Sequence, residues 1–417
     1  MDAIAITPRR DLDATVSIPG SKSCAARALV MAGLTRGESW LEGAADCDDA
    51  TYMLSGLTGL GVACTRTDEG IAVSGGPFCA PSSPLFVGNS GTAMRFLAAA
   101  CATVDGTVMF DGTERMRQRP IDDLVAALAG WGVEASAPTG CPPLTVRATG
   151  AFGGRTHIRG NASSQYLSGL LMAAACASDP AEIMVDGELV SRPYVDLTLA
   201  MMAERGVSVA HEAYAAFCVP AGQRYAPGRY AIEADASGAS YFLAAPAIAG
   251  GRVRVRHLTR RSLQGDVQFA GVLERMGCTV AEGPDWLEVR SDGRVRGVDI
   301  DLNAMPDMAQ TLAVTALFAE GPTTIRNVGN LRIKECDRIR ATVTELRKLG
   351  AEAEEYEDGL RIVPGPLHGA AIDTYEDHRM AMSFAMAGLR IPNVRINDPA
   401  CVSKTFPDFF TRFGALR

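Results

Sequence analysis

The sequence predicts an α/β (α+β) protein of two domains, built from six copies of one small unit. Three observations point there. A helix-ending glycine recurs with a period near 72 residues, a second marker keeps almost the same beat, and the length of 417 residues exceeds what one hydrophobic core organises.

The first marker is a helical pattern that closes on Gly and passes into an apolar run. It reads Leu60-Gly61-Val62, Trp131-Gly132-Val133, Arg205-Gly206-Val207, Met276-Gly277-Cys278, Leu349-Gly350-Ala351 and Phe413-Gly414-Ala415, with glycines 71, 74, 71, 73 and 64 residues apart. Glycine ends a helix in a left-handed conformation that costs other residues more. The second marker is an Ala-rich helix, a short turn and a β-branched strand, as in Ala98 to Phe110, Ala173 to Val185 and Ala244 to Val255. Each copy reads as helix, strand, strand, helix, strand, and two domains hold three copies each. The Gly/Pro/Arg-rich stretch Gln223 to Tyr230 separates copies three and four and reads as a boundary.

Composition narrows the function. Apolar residues make up 47% and charged ones 21%, a globular balance. No apolar run approaches the roughly 20 residues that cross a bilayer, and no secretory leader pattern is visible, so neither membrane nor export is expected. Eleven cysteines, odd in number and without a C-x-x-C pair, read as reduced residues of a cytoplasmic protein. No His/Cys ligand spacing suggests a metal. A net charge of −8 argues against nucleic acid, but small anionic substrates need only a few cations in one place.

Those cations sit at helix entrances, where exposed N–H groups already favour anions. Gly20-Ser21-Lys22-Ser23 leads to Arg27. Gly88-Asn89-Ser90-Gly91-Thr92 precedes Arg95, and three arginines follow at Arg115, Arg117 and Arg119 before Pro120. This is not a nucleotide-binding P-loop, whose G-x-x-x-x-G-K-[ST] spacing is missing. Ser163-Ser164-Gln165 and Ser191-Arg192-Pro193-Tyr194 are further entrances, whose hydroxyls could cap a helix or hold a phosphate. Acid–base groups come later, in Pro306-Asp307, Asn330 to Arg338, Glu376 to Arg379, and Ser403 to Asp408.

In order and spacing, these clusters resemble the EPSP synthase (3-phosphoshikimate 1-carboxyvinyltransferase) family of enolpyruvyl transferases. The resemblance spans nearly the whole chain through GSKS, GNSGTAMR, RMRQRPI, SSQ, LVSRPY, PD, KE-x-DR, DHRMAM and KTFPDF. It implies the enolpyruvyl transferase fold, with six βαβαββ-type repeats, a discontinuous domain over 1–20 and 235–417, a second over 21–234, and an active site in a cleft between them. It implies enolpyruvyl transfer from phosphoenolpyruvate to the 5-hydroxyl of shikimate 3-phosphate, with no cofactor, in a monomer.

The resemblance also assigns residues. Shikimate 3-phosphate falls to Ser23, Arg27, Ser163, Ser164, Gln165, Ser191, Tyr194, Asp307, Asn330 and Lys334. Phosphoenolpyruvate falls to Lys22, Gly91, Arg119, Arg338, Arg379 and Lys404. Proton transfer falls to Asp307 and Glu335, assisted by Lys22. Three features depart from the family's pattern: Ala25-Ala26 where Ser-Asn is usual, Phe96 where Pro is usual, and Cys336 for Thr. They raise the alternative of a modified shikimate as acceptor. Gly91 leaves room beside the phosphoenolpyruvate position, which implies sensitivity to glyphosate. The sister transferase acting on UDP-N-acetylglucosamine opens with a GAKNA-like segment and uses a loop cysteine, and neither stands here. A catalytically idle anion-binding relative would lack Lys22, Asp307 or Glu335, and this chain has all three.

Overall fold

The computed structural model describes residues 3–417, so the first two residues of the domain expected over 1–20 lie outside it. The chain divides into two compact units: residues up to Ser21 together with Glu233–Arg417, and Lys22–Ile232.

The continuous unit holds six helices: α1 (Lys22–Leu34), α2 (Asp48–Gly59), α3 (Gly91–Ala100), α4 (Asp122–Gly130), α5 (Ser164–Ala174) and α6 (Arg192–Glu204). They alternate with three four-stranded mixed sheets. The third copy shows the plan. Strand Gly154–Arg159 pairs in parallel with Ala181–Asp186 across α5, and after α6 the hairpin Ala210–Glu212/Ala216–Val219 returns antiparallel. The second copy repeats this around α3 and α4. In the first copy the parallel edge strand is Gly228–Ala231, borrowed from the far end of the unit to pair with Gly37–Glu42. The stretch read as a boundary therefore closes a sheet. Its Tyr230 is buried, and Ile232 N–H still donates to Glu42 O at 2.9 Å.

The discontinuous unit carries α7 (Ala236–Ala249), α8 (Phe269–Met276), α9 (Ala309–Ala316), α10 (Arg338–Lys348), α11 (His378–Ala387) and α12 (Phe409–Gly414). Its fourth copy pairs the early strand Leu12–Ser17 with Gly251–Arg256 in parallel. The fifth follows the plan entirely around α9 and α10. The sixth is shorter: Ala371–Ile372 and Arg395–Asn397 flank α11, and Ala3–Ala5 completes the sheet antiparallel.

Five of the six period-marking glycines take positive φ: Gly61 (89°), Gly132 (77°), Gly206 (83°), Gly277 (110°) and Gly350 (94°). Around Gly132, Gly206 and Gly277 an added Cβ would meet nothing within 4 Å, so conformation rather than space requires glycine there. Gly414 differs. It is the last residue of α12, and the chain passes into right-handed Ala415. The sixth copy has no hairpin after its second helix, so no reversal has to be made.

In each unit the first helix of every copy is sunk in the core. Every residue of α3, α9 and α11 is buried, as are all but Ser237 of α7. Helices apolar on all sides belong inside, and small residues let them close up: Gly169 of α5 lies against the Arg95 carbonyl and Phe96 of α3. Core packing consumes the bodies of these helices. Their N-termini carry the polar clusters.

Candidate active site

In the unit Lys22–Ile232, Arg27 lies on the second turn of α1, 2% exposed. Its Nε donates to Thr198 Oγ1 at 2.7 Å, its Nη2 to Tyr194 O at 2.9 Å and Ser168 Oγ at 3.2 Å, and its Nη1 to Ser23 O at 2.9 Å. The Phe96 ring centroid is 5.3 Å from the guanidinium carbon. None of these partners is anionic. Burial pulls the Arg27 pKa down to about 10, which leaves it charged at neutral pH. Arg27 is thus a buried cation held by neutral acceptors and a ring face.

A second array forms at the start of α3, where the Ser90 hydroxyl caps the helix by accepting from Ala93 N–H at 3.3 Å. A Cβ on Gly91 would lie 2.5 Å from Arg95 Nη1 and 2.7 Å from Arg119 Nη2. The room that glycine leaves is thus taken by two guanidinium groups over a helix N-terminus. Arg119 donates to Asn89 O and Oδ1, both at 3.1 Å, and Arg95 to Gln165 Oε1 at 2.8 Å while its guanidinium carbon lies 5.1 Å from the Tyr166 centroid. Gly91, Arg119 and Gln165 are brought together in this way. The Ser163 hydroxyl caps α5 by accepting from Gln165 N–H at 3.3 Å, and Ser164 is buried beside it. Ser191 enters α6 with a left-handed φ of 56°, and Lys22 Nζ stands 3.4 Å from the Asp49 carboxylate.

The other unit is organised differently. Arg338, the first residue of α10 and 2% exposed, donates to three carboxylates. Its Nε reaches Asp377 Oδ2 at 2.7 Å, its Nη2 Glu335 Oε2 at 2.8 Å and Asp377 Oδ1 at 3.2 Å, and its Nη1 Asp307 Oδ1 at 3.0 Å. Burial works against its charge, but Asp377, Glu335 and Asp307 outweigh burial and raise its pKa. The second Asp307 oxygen accepts from Arg379 Nη2 at 2.6 Å, and Lys404 Nζ is 3.8 Å from Glu335 Oε1. Five residues predicted from four separate stretches therefore share one charged network. Asn330 sits on the turn Gly329–Ile333, and Lys334 follows as its end residue. Cys336 donates its thiol to Asp377 Oδ2 at 3.5 Å, and burial, reinforced by Asp377, pushes its pKa up, so it is a poor nucleophile.

Sequence reasoning passed over Asp377, Arg95 and Asp49 as site residues. Asp377 and Arg95 lie inside quoted motifs, but each draws its importance from a partner distant in the chain. Among the described residues no group of three or more His, Cys, Asp or Glu side chains could hold a metal ion, and no helix is long and apolar enough to cross a membrane.

Comparison with known proteins identifies the family. The profile of the EPSP synthase (3-phosphoshikimate 1-carboxyvinyltransferase) family matches residues 6–413. The chain is 47% identical to the 3-phosphoshikimate 1-carboxyvinyltransferase of Trichormus variabilis, over 99% of both chains. It is equally identical to that of Vibrio vulnificus, over 100% of this chain and 99% of the relative. A solved EPSP synthase from Acinetobacter baumannii superposes with a TM-score of 0.81 at 25% identity, covering 99% of this chain and 97% of that one. The repeated mixed sheets, the polar helix entrances and a match over nearly the full length converge on one assignment: the chain belongs to the EPSP synthase (3-phosphoshikimate 1-carboxyvinyltransferase) family.

Proposed function

We propose that the charged network around Arg338 supplies the protons of the family's reaction, while the polar helix entrances of both units receive the anionic groups of its two substrates. The reaction itself is the transfer of the enolpyruvyl group of phosphoenolpyruvate to shikimate 3-phosphate, in the shikimate pathway of aromatic amino acid biosynthesis. In this reading Arg27 and Ser23 take the acceptor's carboxylate, and Ser163, Ser164, Gln165, Ser191 and Lys334 surround its phosphate. Tyr194 and Asn330 complete its seat. Lys22, Gly91, Arg119, Arg338, Arg379 and Lys404 take phosphoenolpyruvate.

The chemistry needs a base and an acid. The 5-hydroxyl loses its proton as its oxygen bonds to C2 of phosphoenolpyruvate, and C3 gains a proton, giving a tetrahedral adduct. C3 then returns a proton as the C2–O bond to phosphate breaks. Asp307, paired with two guanidinium groups, suits the base at the hydroxyl. Glu335, 7% exposed and shared between Arg338 and Lys404, suits exchange at C3, with Lys22 assisting. The observation that carries this reading is the pair of carboxylates on one buried arginine. It supports a reading in which acid–base groups stand among cations that would orient the substrates.

The test is phosphate release from shikimate 3-phosphate plus phosphoenolpyruvate. No release by the folded protein sinks the reading. Glu335→Gln is expected to cut turnover by roughly 10²–10⁴-fold while sparing substrate binding; unchanged turnover removes its role. With Gly91 keeping both guanidinium groups close, glyphosate is expected to inhibit in competition with phosphoenolpyruvate, and an inhibition constant in the millimolar range overturns that. The protein is further read as a cytoplasmic monomer, with free cysteines among the described residues.

A further inference from the structure

We propose that Glu345, through Tyr375, is a positioning residue that holds the turn before α11 in the shape the phosphoenolpyruvate-binding arginines require. The inference rests on the assignment of Arg338 and Arg379 made above.

The turn runs from Asp373 to Asp377. Two successive non-glycine residues in it are left-handed, Tyr375 at φ 54° and Glu376 at φ 55°. Side chains adopt that region only where their surroundings impose it. The end of the turn carries the site. Asp377 N–H donates to Thr374 O at 2.8 Å, and the Asp377 carboxylate both caps α11, accepting from Arg379 N–H at 2.9 Å, and grips Arg338. A shift of the turn therefore moves Asp377 and Arg379 together.

The imposing group is Glu345. It lies on α10, seven residues beyond Arg338, and is fully buried. Its Oε1 accepts from the Tyr375 hydroxyl at 2.6 Å and its Oε2 from Asp373 N–H at 3.1 Å. Lys348 Nζ bridges Glu345, at 2.9 Å, and Asp373, at 2.7 Å, and Asn397 Nδ2 donates to the other Asp373 oxygen at 2.8 Å. Both ends of the turn are thus fastened to the helix whose first residue is Arg338. Tyr375 is 39% exposed, so packing gives it little reason to hold a left-handed backbone. Its hydroxyl on a buried carboxylate does. Seven residues are about two helical turns, which puts the gripped arginine and the gripping carboxylate on one side of α10.

Tyr375→Phe removes one hydrogen bond at a partly exposed ring, so the variant is expected to fold, and Glu345→Gln weakens the whole clasp. In steady-state assays of the full chain, Tyr375→Phe is expected to raise the KM for phosphoenolpyruvate about 3–10-fold and Glu345→Gln by more, in proportion to hydrogen bonds weakened. The dissociation constant of shikimate 3-phosphate, measured without phosphoenolpyruvate, should stay within about twofold, since its main anion seats are elsewhere. An unchanged KM for phosphoenolpyruvate in both variants overturns the proposal. So does a parallel loss of affinity for both substrates with a lowered Tm, the mark of general loosening. Arg379→Ala separates the two levels. If it leaves the KM for phosphoenolpyruvate unchanged, the site assignment fails; if it raises that KM and Tyr375→Phe does not, only the clasp fails.

Discussion

The buried arginines of the two units are kept in opposite ways. In the unit Lys22–Ile232, Arg27 and Arg95 face hydroxyls, carbonyls, an amide oxygen and the rings of Phe96 and Tyr166. In the discontinuous unit, Arg338 and Arg379 are bound to Asp307, Glu335 and Asp377. The first arrangement leaves positive charge uncancelled inside the protein, at a cost in stability that an anionic ligand can offset. The second cancels the charge internally, against carboxylates already seated. One unit leaves its buried arginines charged, the other neutralises them.

That contrast can be broken by substitution. The largest effect is expected from Asp377→Asn, which strips one partner from a fully buried pair. Such losses cost about 3–5 kcal/mol, and a fall of several degrees in Tm should be visible by calorimetry; an unaltered Tm would mean that Arg338 is held by Glu335 and Asp307 alone. Arg27→Met should behave in the reverse sense. Removing an uncompensated charge is expected to leave Tm level or higher, while the KM for shikimate 3-phosphate rises about 10–100-fold, as for a lost charged hydrogen bond of about 1.5–3 kcal/mol. A lowered Tm with unchanged KM would show that Arg27 serves the fold instead. The smallest effect belongs to Phe96→Leu. Loss of a ring face under a desolvated guanidinium is worth about 1 kcal/mol, so the same KM should rise only a few-fold, and equilibrium binding of shikimate 3-phosphate measures it.

Much of this was readable from residues in order. The glycines at 61, 132, 206, 277 and 350 announce the repeat because a left-handed helix end is a local demand that leaves a local mark. The helix entrances announce their polar clusters for the same reason. What stayed hidden are pairings between distant parts of the chain. Nothing in the residues around Asp377 says that Arg338 is its partner, 39 positions earlier. Gly228–Ala231 has the composition of a linker, and only its pairing with Gly37–Glu42 makes it a strand. The departures Phe96 and Cys336 could be noticed in the sequence, but their contacts, a ring against Arg27 and a thiol on Asp377, needed three dimensions.

The lending of strands between distant copies has a consequence in time. Leu12–Ser17 pairs with Gly251–Arg256, and Ala3–Ala5 with Arg395–Asn397. During synthesis these early strands must wait for partners that emerge hundreds of residues later, whereas Lys22–Ile232 contains every strand its three sheets need. Domains fold as units when their chain is complete, and long-range pairing is slow. The continuous unit is therefore expected to fold first on the ribosome, leaving its early-made neighbour strands as the segment most exposed to misassociation until the last repeat arrives.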